Sequence, residues 1–220
     1  MLNPLRLKKE TSVTDKKIEK PVYYSCHRSR QSSKKRHYER LPNNINNTLI
    51  NGKKNILEIG FGTGKSVIEL YRKNLNNYFC IESYETGVNN VNKFVRDNNI
   101  KNIHVYQGDA VEIVEEYFDD NIIDEILIFF PDPWPKRKHN KRRILNQFSL
   151  ELFLSKLKNN GIMHFATDHI NYAYTVKDLM TSYTKRKISF NNNRRFRPIT
   201  NYEVRGLKRN NFFFDIVLEK

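Results

Sequence analysis

Apolar positions change their period along this chain. Residues 1 to about 54 show no sustained apolar repeat, but from Asn55 onward short apolar runs alternate with segments whose apolar residues recur at helical spacing. The run Asn55–Ile59 reads as a strand ending at Gly60, and Val67, Leu70 and Tyr71 mark a helix after it. A second strand spans 78–82, followed by a helix with Val88, Val91, Phe94 and Val95 on one face. Ile103 and Val105 alternate with polar residues as a third strand. Ala110, Ile113, Val114, Tyr117 and Phe118 then lie at i, i+3, i+4, i+7 and i+8, the stripe of an amphipathic helix. The apolar run 123–130 predicts a buried central strand, and Leu145, Phe148, Leu152 and Leu157 predict a helix beyond it. A strand over 161–167, a helix with Tyr172, Val176, Leu179 and Met180, and strands near 185–189 and 212–218 complete the pattern. Strand and helix in alternation predict an α/β fold: about seven strands in a mostly parallel sheet. The stretch 191–211 shows no helical pattern, so the last two strands are expected to pair antiparallel.

Charge changes this picture from a generic α/β domain to one with a polyanionic partner. The 220 residues carry 39 Lys plus Arg against 24 Asp plus Glu, a net charge of +15, and no long basic amphipathic helix is present to direct that charge to a membrane surface. The length fits one domain, here 55–220, preceded by a basic arm, 1–54. The arm holds the run from Arg28 to Arg40, which suits either a solvated tail or a segment that orders on RNA, and 43–52 reads as linker. No apolar run approaches the roughly 20 residues of a membrane span, and the first ten residues lack the apolar core of a signal peptide, so a cytoplasmic protein is expected. Cys26 and Cys80 show no zinc or disulfide spacing, and the six His show no ligand spacing, so no metal is expected. No helix shows a self-complementary apolar face, which leaves monomer and homodimer both open.

Two stretches carry candidate chemistry. The first is Glu58-Ile59-Gly60-Phe61-Gly62-Thr63-Gly64-Lys65-Ser66, at the first strand-to-helix turn, where glycines let the backbone approach a ligand. Gly64-Lys65-Ser66 spells the end of a phosphate-binding P-loop, but its leading glycine would fall on Ile59. A dinucleotide fingerprint fails too, because its third glycine would fall on Lys65. An acid just before the loop suits a cationic or zwitterionic ligand better than a pyrophosphate. The second stretch is Ile126 to Arg143, in which an apolar strand runs into Pro131-Asp132-Pro133-Trp134 and then a dense basic segment. It sets an acid and an aromatic at a strand's C-terminal end, where open α/β sheets bind ligands, beside phosphate-binding charge.

The glycine loop resembles the S-adenosylmethionine site of Rossmann-like class I methyltransferases. The region from Asn55 to about Asp215, through FFPDPWPKRKHNKRR, Ala166-Thr167-Asp168 and TNYEVRG at Thr200 to Gly206, resembles the bacterial tRNA (guanine-N7)-methyltransferase family. The resemblance implies a seven-stranded sheet with helices on both faces, S-adenosylmethionine as cofactor, and tRNA as substrate, methylated at N7 of guanosine 46 in the variable loop. It also implies site roles: Glu58, Gly60, Gly62 and Gly64 around the methionine end of the cofactor, Glu82 on the ribose and Asp109 on the adenine. Glu58 and Asp109 each also admit a capping role. Asp132 is the expected catalytic residue and also borders the cofactor. Lys136, Asp168, Thr200, Asn201, Tyr202 and Glu203 are expected on the substrate nucleoside, with Arg205 adding a phosphate contact. Lys138, His139, Asn140, Lys141, Arg142 and Arg143 are expected on the RNA, with a solvated face as the alternative. Trp134, the only Trp, serves either as a stacking platform or as a packed lid. Rival readings are a methyltransferase acting on another base or RNA, and a basic RNA-binding module with an inactive pocket.

Overall fold

In a computed structural model the described residues are 45, 49, 51–183, 188–191, 194–208 and 211–220. The reading of residues 1–44 as a basic arm lies outside them. Among the described residues, fourteen elements follow in chain order: β1 (Asn55–Ile59), α1 (Lys65–Lys73), β2 (Asn77–Glu82), α2 (Glu85–Asp97), β3 (Ile103–Gln107), α3 (Ala110–Tyr117), β4 (Ile123–Phe129), a 3-10 helix (Arg137–Arg142), α4 (Gln147–Lys156), β5 (Leu157–Thr167), α5 (Ile170–Tyr183), β6 (Ile188–Asn191), α6 (Asn201–Leu207) and β7 (Phe214–Glu219).

The strands form one sheet in the order β3-β2-β1-β4-β5-β7-β6. Pairing is parallel from β3 through β5, and β7 runs antiparallel to both β5 and β6. The strand order reverses between β1 and β4, so their C-terminal ends open a crevice, and both candidate stretches lie there.

The central strands are buried on both faces, and neighbouring residues on a strand feed opposite cores. Leu57, Ile59, Phe79, Ile126 and Ile128 join α3, α4 and α5 through Val111, Ile113, Leu150, Phe153, Tyr172 and Val176. Ile56, Cys80 and Leu127 join α1 and α2 on the other side through Val67, Leu70, Val88 and Val91. Ile45, within the stretch read as linker, is fully buried in the first of these cores.

Three local expectations change. Leu157 is not the last residue of a helical face but the first residue of β5, whose eleven residues begin four positions before Gly161. The segment 191–211 is not free of helix: α6 occupies Asn201–Leu207, with the Thr200 side chain accepting from the Glu203 backbone N–H at 3.2 Å. The signal was the Thr-x-x-Glu spacing of a helix start, too short to show a period. The last strand begins later than expected, at Phe214, while of the strand expected near 185–189 the described part is Ile188–Asn191 and 185–187 lie outside the described residues.

Candidate active site

The crevice is a cleft of about 520 Å³, within the range of small-molecule sites. Its lining draws on the ends of β1, β2, β3 and β4 together with Thr200, Tyr202 and Arg205 from α6 and its cap. Of the residues singled out from the sequence, Glu58, Gly60, Gly62, Glu82, Asp109, Asp132, Trp134, Arg142, Thr200, Tyr202 and Arg205 line this one space. Strand order brings the loop ends of β1 to β4 together, and the buried Arg197 pairs to Glu203 and Asp215 hold α6 to the sheet.

The glycine loop is built for close approach. Gly60, Gly62 and Gly64 have φ of 76°, 59° and 86°, left-handed values that cost an L side chain strain. The N-terminus of α2 presses on the same loop: a Cβ on Gly87 would stand 1.7 Å from the Gly62 carbonyl oxygen. Gly87 was not anticipated, although a lone glycine inside a helical pattern is itself a sign of close packing.

Three acids surround the loop in different states. Glu58 is 1% exposed; its Oε1 accepts from the Ser66 hydroxyl, while Oε2 is buried without a hydrogen-bond partner. Burial raises the Glu58 carboxyl from 4.5 to about 7. Glu82 is held by backbone donors: Gly62 N–H at 2.7 Å on Oε2, and Ser83 and Tyr84 N–H at 2.7 and 2.9 Å on Oε1. Asp109 caps α3, its Oδ1 accepting from Val111 N–H at 2.9 Å, and also lines the cleft.

The turn after β4 is strained at both ends. Phe130 and Trp134, neither of them glycine, sit at φ of 51° and 43° and bracket Pro131, Asp132 and Pro133. The Phe130 N–H bonds the Ala166 carbonyl at 2.8 Å, extending the β4–β5 ladder into the turn. Asp132 is exposed at the cleft. Trp134 is half-buried, with the Arg142 guanidinium 4.9 Å from its ring centre and His139 edge-on at 5.8 Å.

The basic segment separates into two populations. Lys136, Arg137, Lys138, Asn140 and Lys141 are exposed around the 3-10 helix. Arg143 is not: it is 4% exposed, donates from Nε to the Pro133 carbonyl at 2.9 Å, and stacks over Tyr172 at 4.6 Å. The expected phosphate contact is corrected for this residue, because its guanidinium is spent inside the fold.

Glu203 is corrected in the same way. It is 2% exposed, its carboxylate is taken by Arg197 at 2.7 Å and Arg194 at 3.0 Å, and it does not line the cleft, so it is spent inside the fold rather than offered to a nucleoside. Arg197 also bonds Asp215 on β7 at 2.8 and 2.9 Å, and Asp215 meets His164 on β5 at 2.7 Å. Burial pushes the Asp215 carboxyl up, but the bonds from His164 and Arg197 outweigh it and hold the group below its ordinary value. This buried network ties α6 to the sheet. Nothing in the local sequence marked Arg197, which reads there as one more surface charge. Asp168 is exposed at the end of β5, outside the cleft lining, and Lys136 lies on the exit of the turn.

Taken with the sheet order, this cleft defines a class. The unpartnered Glu58 oxygen fits a cationic group, the positive-φ loop fits a ligand pressed against the backbone, and Glu82 stands at the second strand end; these residues fit S-adenosylmethionine. Solved structures with the same fold include an S-adenosylmethionine-dependent methyltransferase from Archaeoglobus fulgidus, 14% identical with a TM-score of 0.53 over 77% of this chain and 87% of that one. Another is phosphoethanolamine N-methyltransferase 2 of Haemonchus contortus in complex with S-adenosyl-L-methionine, 10% identical with a TM-score of 0.56 over 78% of this chain and 49% of that one. The protein is a Rossmann-like, S-adenosylmethionine-dependent methyltransferase.

A family model described as "Putative methyltransferase" matches residues 52–216. A tRNA (guanine-N7)-methyltransferase of Francisella philomiragia is 40% identical over 75% of this chain and 74% of its own length. One of Neisseria meningitidis is 33% identical over 83% of this chain and 79% of its own length. The chain belongs to the tRNA (guanine-N7)-methyltransferase family.

Proposed function

We propose that this enzyme methylates N7 of a guanosine in tRNA, the guanosine at position 46 of the variable loop. The observation that carries this reading is one cleft in which a cation-accepting pocket at the end of β1 faces an acid-bearing strained turn at the end of β4, with an exposed basic segment leaving that turn. The names of the relatives support N7 of guanine in tRNA, and position 46 rests on the sequence resemblance.

When bound, S-adenosylmethionine supplies an electrophilic methyl on a sulfonium centre and leaves as a neutral thioether. Glu58 would hold the methionine ammonium, and Glu82 and Asp109 the ribose and adenine. Guanine N7 has a lone pair and no proton, so no general base is required; alignment and electrostatics are sufficient. Asp132 would favour the positive charge that develops on the base and accept from guanine N1–H and N2–H, which adenine does not offer. Trp134, Thr200, Tyr202 and Arg205 line the same cleft. Asp168 would meet the nucleoside from beyond the cleft lining, the Asn201 side chain lies outside those described, and Lys136, Lys138, His139, Asn140, Lys141 and Arg142 would track the RNA backbone and stack at its edge.

Incubation with labelled S-adenosylmethionine and unmodified tRNA, followed by nucleoside analysis, tests the proposal. 7-Methylguanosine is expected; methyl on another nucleoside would overturn the base assignment. Asp132→Ala should lower the single-turnover rate by about a hundredfold with cofactor binding intact, and an unchanged rate would remove Asp132 from the mechanism.

A further inference from the structure

Within the basic segment that leaves the Asp132 turn, Arg143 is the buried member. Its guanidinium lies under the turn and joins it to α5. Nε donates to the Pro133 carbonyl at 2.9 Å, and Nη1 reaches Thr175 Oγ1 on α5 at 3.3 Å. Its Cζ sits over the Tyr172 ring, also on α5, 4.6 Å from the ring centre. Tyr172 is fully buried and fixes the next stretch of chain, since its hydroxyl accepts from the Leu145 N–H at 3.2 Å. The turn thus has a rear anchor on the helix behind the sheet, beside its front tie from Phe130 N–H to Ala166.

The anchored atom is the informative part. Pro133 follows Asp132 and precedes Trp134, one of the two positive-φ residues of the turn. Prolines fix φ at 131 and 133, but ψ remains free, and a strained backbone persists only where its surroundings over-determine it. A bond to the Pro133 carbonyl holds the plane of the peptide that joins Pro133 to Trp134, and with it ψ of Pro133 and the positive φ of Trp134, the course of the backbone between the acid and the indole.

We infer that Arg143 is a positioning residue for methyl transfer, holding the Asp132–Trp134 turn in register from behind, and that it makes no contact with the RNA. The inference rests on the proposed role of Asp132 as the group beside the reacting base. It also divides the run of cations: Lys136, Arg137, Lys138 and Lys141 are available to RNA, and Arg143 belongs to the frame. Lysine cannot substitute, because a single ammonium cannot bond the Pro133 carbonyl, reach Thr175 and lie over the Tyr172 ring at once.

The test is Arg143→Lys in the full-length enzyme, with Thr175→Val as the milder variant that removes only the far anchor. Trp134 is the sole tryptophan, so its emission and acrylamide quenching report the turn with no reaction needed. Expected for Arg143→Lys are altered Trp134 emission, a single-turnover rate lower by about 10- to 100-fold, unchanged cofactor affinity, and an unchanged slope of tRNA affinity against salt. Thr175→Val should move emission and rate in the same direction by less. Normal emission and rate in Arg143→Lys, with the protein folded, would overturn the inference. So would an Arg143→Ala slope lowered by about one unit, the signature of a side chain that had been neutralising one phosphate. If Arg143→Lys does not fold, Thr175→Val decides: wild-type emission and rate there overturn the inference. Should Asp132→Ala prove fully active while Trp134 responds as expected, the fault lies with the role of Asp132 and not with the anchor.

Discussion

Replacing Glu58 by glutamine should remove a pH dependence that the buried carboxyl builds into cofactor binding. Burial raises this group from 4.5 to about 7, which corresponds to about 3 kcal/mol at 1.36 kcal/mol per unit. The folded protein therefore binds more protons than the unfolded chain across this interval. Without ligand, stability is greatest below the lower value, falls as pH rises through the window, and levels off above about 7. A cationic ligand against Oε2 reverses the preference, because it favours the ionised form. The ligand's own α-amino group titrates near 7.7–8.0 and stays charged below that. Between pH 7 and 5.5 the ionised fraction of Glu58 falls from about one half to about one thirtieth, so S-adenosylmethionine should bind about 15-fold more weakly at the lower pH. Calorimetric titration in two buffers of different ionisation enthalpy measures both the affinity and the proton released on binding. A glutamine amide can still accept from Ser66 but carries no charge, so Glu58→Gln should bind weakly and without pH dependence over this range. It should also melt at a higher temperature than wild type at pH 8 in the absence of ligand. Equal pH slopes in wild type and variant, or no slope in either, would refute the reasoning.

Arg197→Ala leaves Asp215 and Glu203 buried without their common partner, which should cost at least about 3 kcal/mol, or roughly 10 °C in thermal midpoint; differential scanning calorimetry reads it, and a shift of under 2 °C, roughly half a kcal/mol on the same scale, would deny the network its role. Lys138→Ala combined with Lys141→Ala, both exposed, should flatten the salt dependence of tRNA binding by roughly one unit for each phosphate these side chains neutralise; an unchanged slope would return this face to ordinary solvation.

Much of the sheet was legible because each strand and most helices state their own period. β1, β2 and β4 are short apolar runs, β3 alternates, and α3 with its C-cap shows five apolar residues in one stripe; none of these needs a distant partner to be recognised. The elements that were misread are those whose identity depends on contacts. Leu157 continues the apolar face of α4, yet it pairs with Ile123 as the start of β5. The helix α6 is only seven residues long, about two turns, and is held by Arg197 rather than by an apolar stripe.

The same division runs through the site. By itself the sequence determined the chemistry on offer: a glycine loop after an acid, an acid between prolines at a strand end, and a run of cations behind it. Residue type and spacing encode these because each is local to one turn of chain. Only the tertiary structure decided which charges are spent inside. Arg142 and Arg143 are adjacent and identical in type, yet one lies over Trp134 at the cleft and the other under Pro133 against α5. Glu203 lies next to Tyr202's opening onto the cleft but turns to Arg197. Burial is the physical reason: whether a charge meets a ligand or a neighbour is set by the direction its side chain takes from a packed backbone, and packing is a property of elements far apart in sequence.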